Sequence, residues 1–260
     1  MCNKILYVVF IFILLFPSVL HAKKLVFVTL DTPPQTFLQD GKPKGFLVEI
    51  VAEAAKRAGY EPDIRIVPWK RAMAMVKKGT ADAIFNAGYN EERNKYLRFS
   101  ETVLITEKVV ALRLAGSNVY FPSDFSGAEK YSGGVGRGFY YGKKVDQALK
   151  KGVFLRIEEV PNIDLNVKKL LLGRIDFFFA DYYPALNFLN DNNLLYKVEA
   201  IIAPESGLPL IYSKSDTYLA FSRKKDPEAF EKVNAELKKM KQDGSYQKII
   251  SRYIPVHEGF

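Results

Sequence analysis

Apolar residues along this chain fall into two alternating patterns, short continuous runs and stripes spaced three and four apart. Leu25–Leu30 is a run that predicts a strand. Leu47–Ala58 follows with Leu47, Ile50, Val51, Ala54 and Ala58 on one side, a helical spacing stopped by Gly59. Ile64–Val67 predicts a second strand, Trp69–Lys78 a helix between Pro68 and Gly79, and Ala81–Phe85 a third strand. The second half repeats this alternation. Strands are expected at Tyr131–Val135 and Phe154–Val160, a helix at Asp164–Leu172 ended by Gly173, and a strand at Ile175–Ala180. Asp226-Pro227 then opens a helix with an acid at the N-cap and proline at the first position. Its buried stripe is Phe230, Val233, Leu237 and Met240. Gly244 ends it, and Ser245 opens a last short helix through Tyr253. Strands alternating with helices predict parallel, helix-covered sheets, an α/β fold.

One internal echo divides the chain. Lys77–Phe85 and Leu171–Phe179 each give a helix end, a glycine, an aspartate three residues on, and a buried strand. The echo predicts two similar lobes, each a small α/β sheet. Ligands of open α/β sheets sit beyond the carboxyl ends of the strands. Asn86, Ala87 and Gly88 after one strand, and Asp181 after the other, are therefore candidates. Asp181 poses the sharper question, because the run Ile175–Ala180 reads as buried and delivers a carboxylate at its end. An isolated buried carboxylate is costly unless something pairs with it. Asp181 is also suited to cap a helix over Tyr182–Leu189.

Composition narrows the function. At 260 residues and 48% hydrophobic content the chain can bury the core of one large domain or two lobes. Lys4, the apolar run Ile5–Phe16 and the segment Pro17–Ala22 have the form of a secretory signal cleaved after Ala22. The alternative, an uncleaved membrane anchor, needs about 20 apolar residues. Losing residues 1–22 removes Lys4 and no acid, so the net charge goes from +9 to +8, with 37 basic against 29 acidic residues. It also removes Cys2, the only cysteine, and with it any disulfide or thiol chemistry. The basic residues are scattered along helices, as at Lys232, Lys238, Lys239 and Lys241, and read as solvated faces rather than a nucleic-acid site. His257 is the one histidine after the leader, and no nucleophile elbow or zinc-ligand spacing is present. Glu91-Glu92 and Glu158-Glu159 are adjacent carboxylates, which point to opposite faces on a strand. These features predict no catalytic residues, no metal and no cofactor.

Five segments carry a resemblance. Gly41–Tyr60, Lys77–Glu101, Val135–Gly138, Leu171–Asp181 and Met240–Tyr253 resemble, in order and spacing, the bacterial extracellular solute-binding proteins of family 3, and Val67–Met73 resembles one branch of it. The resemblance implies a two-lobed periplasmic-binding-protein-like II fold. Lobe 1 would be residues 23–108 and 216–260 and lobe 2 residues 109–215, joined by crossing strands near Val109–Leu112 and Thr217–Phe221. It also implies that Arg93 grips a ligand α-carboxylate, with Asn90 where the family has threonine, and that Asp181 grips the α-ammonium. Guanidinium meets carboxylate as a planar two-bond fork. Asn86 and Gly88 fall where the family lines its pocket with small hydroxyl residues. Gly138, Phe139 and Tyr140 stand at a turn that leads into a helix in the family, so the Phe139 and Tyr140 N–H groups would support an anion. The aromatic residues there depart from the family pattern. Trp69, Asp31 and Phe37 are expected as pocket walls, Trp69 reading equally well as a helix-start core residue. The implied function is capture of a small ligand, most readily an amino acid, by a monomeric periplasmic protein serving an ABC transporter permease in the inner membrane. Two alternatives share the fold: a cyclohexadienyl (prephenate or arogenate) dehydratase-like enzyme, and a ligand sensor for a membrane receptor.

Overall fold

The computed structural model describes residues 22–253. The leader expected over residues 1–22 lies outside the described residues except for Ala22, as does His257. The chain opens with β1 (Lys24–Thr29), a hairpin β2 (Phe37–Gln39) and β3 (Lys42–Lys44), then α1 (Phe46–Arg57), β4 (Glu61–Ile66), α2 (Trp69–Lys78) and β5 (Ala83–Gly88). A single turn of helix, α3 (Glu91–Asn94), leads into the long β6 (Leu97–Leu114). The second lobe contains β7 (Ser132–Gly136), α4 (Gly142–Lys150), β8 (Arg156–Val160), α5 (Ile163–Leu171), β9 (Phe177–Asp181), α6 (Tyr182–Asp191) and β10 (Val198–Ala200). The chain then returns through β11 (Ser213–Ser222) to α7 (Pro227–Gln242) and α8 (Ser245–Ile250) in the first lobe.

Two α/β lobes are joined by two crossing strands. The strand order is β4-β1-β5-β11-β6-β9-β7-β8, with β10 also on β6. β6 and β11 pair antiparallel through the middle of the molecule. Residues 217–221 of β11 pair with β5 of the first lobe, whereas residues 109–113 of β6 pair with β9 of the second. Within each lobe the outer strands run parallel, as helix crossovers require.

Each sheet is covered on both faces. Phe27, Phe85, Ile50 and Leu237 pack on one side of the first lobe, and Val28, Ile84, Ala72 and Val76 on the other. In the second lobe Phe177 and Phe179 join Phe121 and Tyr212 on one face while Phe178 meets Val167 and Leu189 on the other. The Phe177–Phe179 run is thus buried on both sides, as its lack of alternation implies.

Both central strands reach further toward the cleft than their apolar runs suggest. β5 starts at Ala83, because Ala81 and Asp82 form the turn, and extends through Asn86 and Ala87 to Gly88. The pairing of β11 with β5 shifts register between Tyr218 and Ala220. Asn86 sits at that irregularity with φ 60°, a left-handed conformation that asparagine tolerates. β9 likewise carries Asp181 within the strand, opposite Val109.

Candidate functional site

Arg93 is positioned by a cap. Asn90 precedes α3, and its Oδ1 accepts the Arg93 N–H at 2.8 Å. This fixes the single helical turn and sends the Arg93 side chain inward, where it is 6% exposed. Nη1 donates to the Gly88 carbonyl at 2.7 Å, and Nη2 donates across the cleft to the Gly138 carbonyl at 3.0 Å. The rings of Trp69 and Tyr140 lie 5.4 and 5.8 Å from the guanidinium carbon, within cation–π range. Burial lowers the Arg93 pKa, and among the described residues no carboxylate lies within 4.0 Å of it, Glu91 and Glu92 included. The two nitrogens expected to form an open fork are therefore engaged by backbone carbonyls, one from each lobe.

The turn from β7 to α4 differs from expectation. Helix α4 starts at Gly142, so Phe139 and Tyr140 precede it and do not form its first turn. The Phe139 N–H donates to the Gly136 carbonyl at 3.0 Å inside the loop and does not face the cleft. What the loop presents instead is rings and a carbonyl. The Gly138 carbonyl also accepts the Trp69 indole N–H at 2.9 Å, and Phe139 packs edge-on to Trp69 with centroids 6.4 Å apart. The Tyr140 ring covers Gly88 so closely that a Cβ there would lie 2.5 Å from its Cδ1. Trp69 is both a core residue of the first lobe and a wall of the cleft.

The acidic side is built on β9 and β6. Asp181 stands at the N-cap of α6, yet its side chain makes no capping bond. The carboxylate faces the cleft, and burial pushes its pKa up to about 7. Glu107 lies two residues before Val109, the partner of Asp181, and so shares its face as a diagonal neighbour, about 7–8 Å away between backbones. Glu107 is 2% exposed, and its carboxyl pKa is raised well above the usual range by burial and then by the charge of Asp181. Gln35 Nε2 donates to Glu107 Oε1 at 2.6 Å, and Asn86 Nδ2 donates to Gln35 Oε1 at 2.7 Å. Six buried side-chain atoms among the described residues find no partner, and four of them lie here: Glu107 Oε2, Asn86 Oδ1, Ser215 Oγ and Thr32 Oγ1. All four residues line one inner cavity of about 30 Å³ together with Arg93 and Asp181.

A second, larger cavity of about 560 Å³ lies outside the first and shares Leu30, Thr32, Trp69, Phe139 and Asp181 with it. Asp31 lines this outer space rather than the inner one, and its carboxyl pKa is raised by burial. Phe37 lies in the β2–β3 hairpin and lines neither cavity. The structure thus gathers Trp69, Asn86, Gly88, Arg93, Phe139, Tyr140 and Asp181 around the inner cavity, with Gly138 bonded to two of them. Sequence reasoning missed Glu107, Gln35, Ser215 and Thr217. For Glu107 a signal existed: Ile105, Glu107, Val109 and Ala111 alternate onto one buried face of β6.

Comparison with known proteins fits this architecture. The chain belongs to the bacterial extracellular solute-binding proteins, family 3, whose profile matches residues 25–256. It is 27% identical over 214 residues to the L-cystine-binding protein TcyA of Bacillus subtilis (strain 168), covering 82% of this chain and 73% of that protein. It is 26% identical over 226 residues to the L-cystine-binding protein TcyJ of Escherichia coli (strain K12), covering 85% of this chain and 79% of the relative. Among solved structures, an ancestral arginine-binding protein bound to arginine superposes with a TM-score of 0.75 at 21% identity, covering 89% of this chain and 98% of that one. A histidine kinase sensor domain with similarity to periplasmic binding proteins superposes at 0.78 with 16% identity, covering 90% and 97%. The fold is the two-lobed periplasmic-binding-protein type.

Proposed function

Starting from membership of solute-binding family 3, we propose that this protein captures a small amino-acid solute between its lobes and delivers it to an ABC importer. One observation carries the reading. Arg93 of the first lobe and Asp181 of the second face the same inner cavity, beside four buried polar atoms that lack partners. A zwitterion supplies a carboxylate for the first and an ammonium for the second. Native proteins leave few buried polar atoms unpaired, and such atoms ask for an explanation. A bound solute is that explanation here.

The Gly138 carbonyl marks where the ligand carboxylate goes. It occupies both the Trp69 indole N–H and Arg93 Nη2 when the lobes are together. Opening about β6 and β11 carries Gly138 away with the second lobe and frees both donors. A carboxylate oxygen then takes over those bonds, charged where the carbonyl was neutral, and so binds more strongly. Asp181 meets the ammonium from the other side. The lobes close because the solute contacts both of them in one state and only one in the other. The Tyr140 ring over Gly88 seals the site from water.

The solute leaves unchanged, so the protein is a carrier and not an enzyme; the curated relatives are likewise named as binding proteins. Residues 1–22 serve as a cleaved leader, the mature chain is a periplasmic monomer, and a membrane permease is its partner. Calorimetric titration of the ligand-stripped chain from Lys23 onward with each standard amino acid tests this. Binding at micromolar or tighter dissociation constants by one subset, lost in Arg93→Ala, is the expected result. Silence across the panel overturns the reading and directs titration to prephenate, with turnover measured alongside.

A further inference from the structure

The charge around the cleft runs against the charge of the chain. The whole sequence carries +9, yet among the described residues Arg93 is the one cation lining the inner cavity, which Asp181 and Glu107 also line. The outer cavity adds Asp31, Asp164 and Asp191, and no lysine, arginine or histidine lines it among the described residues. Asp164 is paired with Lys168 at 2.7 Å on an exposed face, and Asp191 accepts from Asn187 at 2.9 Å. Among the described residues no cation pairs with Glu107: one oxygen takes Gln35 and the other has no partner.

We propose that the cleft selects solutes of net positive charge, with Glu107 joining Asp181 to hold a ligand ammonium in the inner cavity. The proposal rests on the amino-acid-binding reading above and narrows it to cationic members of that class. Charge balance leads to it. With both acids ionised, the inner cavity carries one net negative charge. A zwitterion adds none and leaves a buried carboxylate uncompensated, which is unfavourable unless that group takes up a proton. A solute of charge +1 closes the balance.

Size and chemistry agree. About 30 Å³ holds little more than one water-sized group, which is the size of an ammonium. The unpartnered Glu107 Oε2, Asn86 Oδ1, Ser215 Oγ and Thr32 Oγ1 can all accept hydrogen bonds, and an ammonium donates three. The ligand carboxylate takes the place of the Gly138 carbonyl on Arg93 beside this space, and the remainder of the solute lies in the 560 Å³ outer space, along Trp69 and Phe139. Binding such a cation is tied to pH, since the pair must lose its proton first. The titratable groups around the pair include Arg93 from α3, Tyr140 and Tyr141 before α4, Asp31 at the mouth, and Asp146 of α4, which accepts the Tyr141 N–H at 2.9 Å and acts on Arg93 from behind, while Lys108, next along β6, lies over the Tyr183 ring on α6. Of the carboxyls at this site, Asp181 is pushed up to about 7 by burial, and Glu107 is raised well above the ordinary range by burial and by the charge of Asp181.

The test is calorimetric titration of the ligand-stripped protein with L-lysine, L-arginine, L-norleucine and L-glutamine at pH 6 and pH 8, in wild type and Glu107→Gln. Norleucine matches lysine without its side-chain ammonium. Lysine or arginine is expected to bind at least about tenfold tighter than norleucine and glutamine, with a gap that widens toward pH 8. In Glu107→Gln, which keeps an acceptor for Gln35, the gap and its pH dependence collapse. That variant is also expected to melt higher than wild type at pH 8, because a buried uncompensated charge is gone; a purely structural role would move the melting point alone. Preference for norleucine or glutamine, with Arg93 still required, overturns the cation selectivity and leaves the amino-acid reading standing. An unchanged gap in Glu107→Gln overturns the role of Glu107. Binding of none of the four overturns the inference, and silence across the full amino-acid panel overturns the reading beneath it as well.

Discussion

The two helix–glycine–aspartate–strand units are built alike and end differently. In the first lobe Gly79 follows α2 with φ 82°, and in the second Gly173 follows α5 with φ 65°. Three residues after each glycine an aspartate ties its strand to the neighbour. The Asp82 carboxylate accepts the Val26 N–H at 2.8 Å while its own N–H donates to the Val26 carbonyl at 2.8 Å. Asp176 does the same with Ser132, at 2.7 and 2.8 Å. At the cleft ends the likeness stops. β5 is kinked by Asn86 and leads through Gly88 and Asn90 to a buried cation, Arg93. β9 runs straight into α6 and presents a carboxylate, Asp181. One scaffold element, used twice, sets opposite charges across a gap. The closing ends secure the lobes, and the open ends carry the chemistry.

The comparison is broken most severely at the cationic end. Arg93→Ala removes the donors to Gly88 and Gly138 and is expected to weaken carboxylate-ligand binding by about a hundredfold or more, as loss of a buried charged hydrogen-bond partner does. Titration calorimetry checks this, with circular dichroism confirming the fold; unchanged affinity refutes the assignment.

The acidic end follows. Asp181→Asn is expected to weaken amino-acid binding by about ten- to a hundredfold and to affect simple carboxylic acids far less, because a neutral amide meets an ammonium poorly. Equal losses for both ligand types would sink its ammonium role. The same variant carries a pH signature. Folded Asp181 keeps its proton to about pH 7, whereas an unfolded aspartate gives it up near pH 4. Between about pH 4 and 7 the unfolded state therefore binds fewer protons at this group, and its contribution to stability falls as pH rises. The unfolding midpoint of Asp181→Asn in urea should exceed that of wild type by a margin that grows from pH 4 to 7. A margin independent of pH contradicts the raised pKa.

Contact between the two ends is tested by Gly88→Ala. Its methyl would meet the Tyr140 ring and hold the lobes apart, so about a tenfold loss of affinity is expected, regained when Tyr140→Ala is added. No recovery in the double variant would show that the clash lies elsewhere. The smallest effects belong to the closing ends, where the units match. Asp82→Ala leaves the Val26 N–H without its carboxylate and breaks the 3.1 Å pair with Lys225, an expected cost of about 1–3 kcal/mol in chemical denaturation. Asp176→Ala should cost less, since Asp176 is exposed, and neither variant should alter ligand affinity.

Much of this was legible along the chain. Apolar runs and helical stripes located β1, α1, β4, α2, β5, β7, β8, α5, β9 and α7 to within a few residues, since burial on both faces leaves no alternation to misread, whereas α4, the β2–β3 hairpin and most of the long β6 were not read from the pattern. The repeated Gly-x-x-Asp marked equivalent turns, and Asp181 stood out because a carboxylate ended an apolar run. Glu107 did not stand out. Flanked by Thr106 and Lys108 it reads as one polar residue among others unless its alternation with Ile105, Val109 and Ala111 is followed, and pairing with Ser215 of β11 and the approach of Gln35 bury it.

By itself the sequence determined most of the elements, their α/β order, and two strand ends where polar residues follow apolar ones, because local periodicity and glycine stops report local conformation. Tertiary structure alone decided that Arg93 spends its outer nitrogens on Gly88 and Gly138, and that Phe139 and Tyr140 offer rings rather than amides. It also decided that Glu107 shares a cavity with Asp181. These outcomes depend on which groups meet across the cleft, and hydrogen bonding and charge compensation between residues distant in sequence are settled only when the lobes come together.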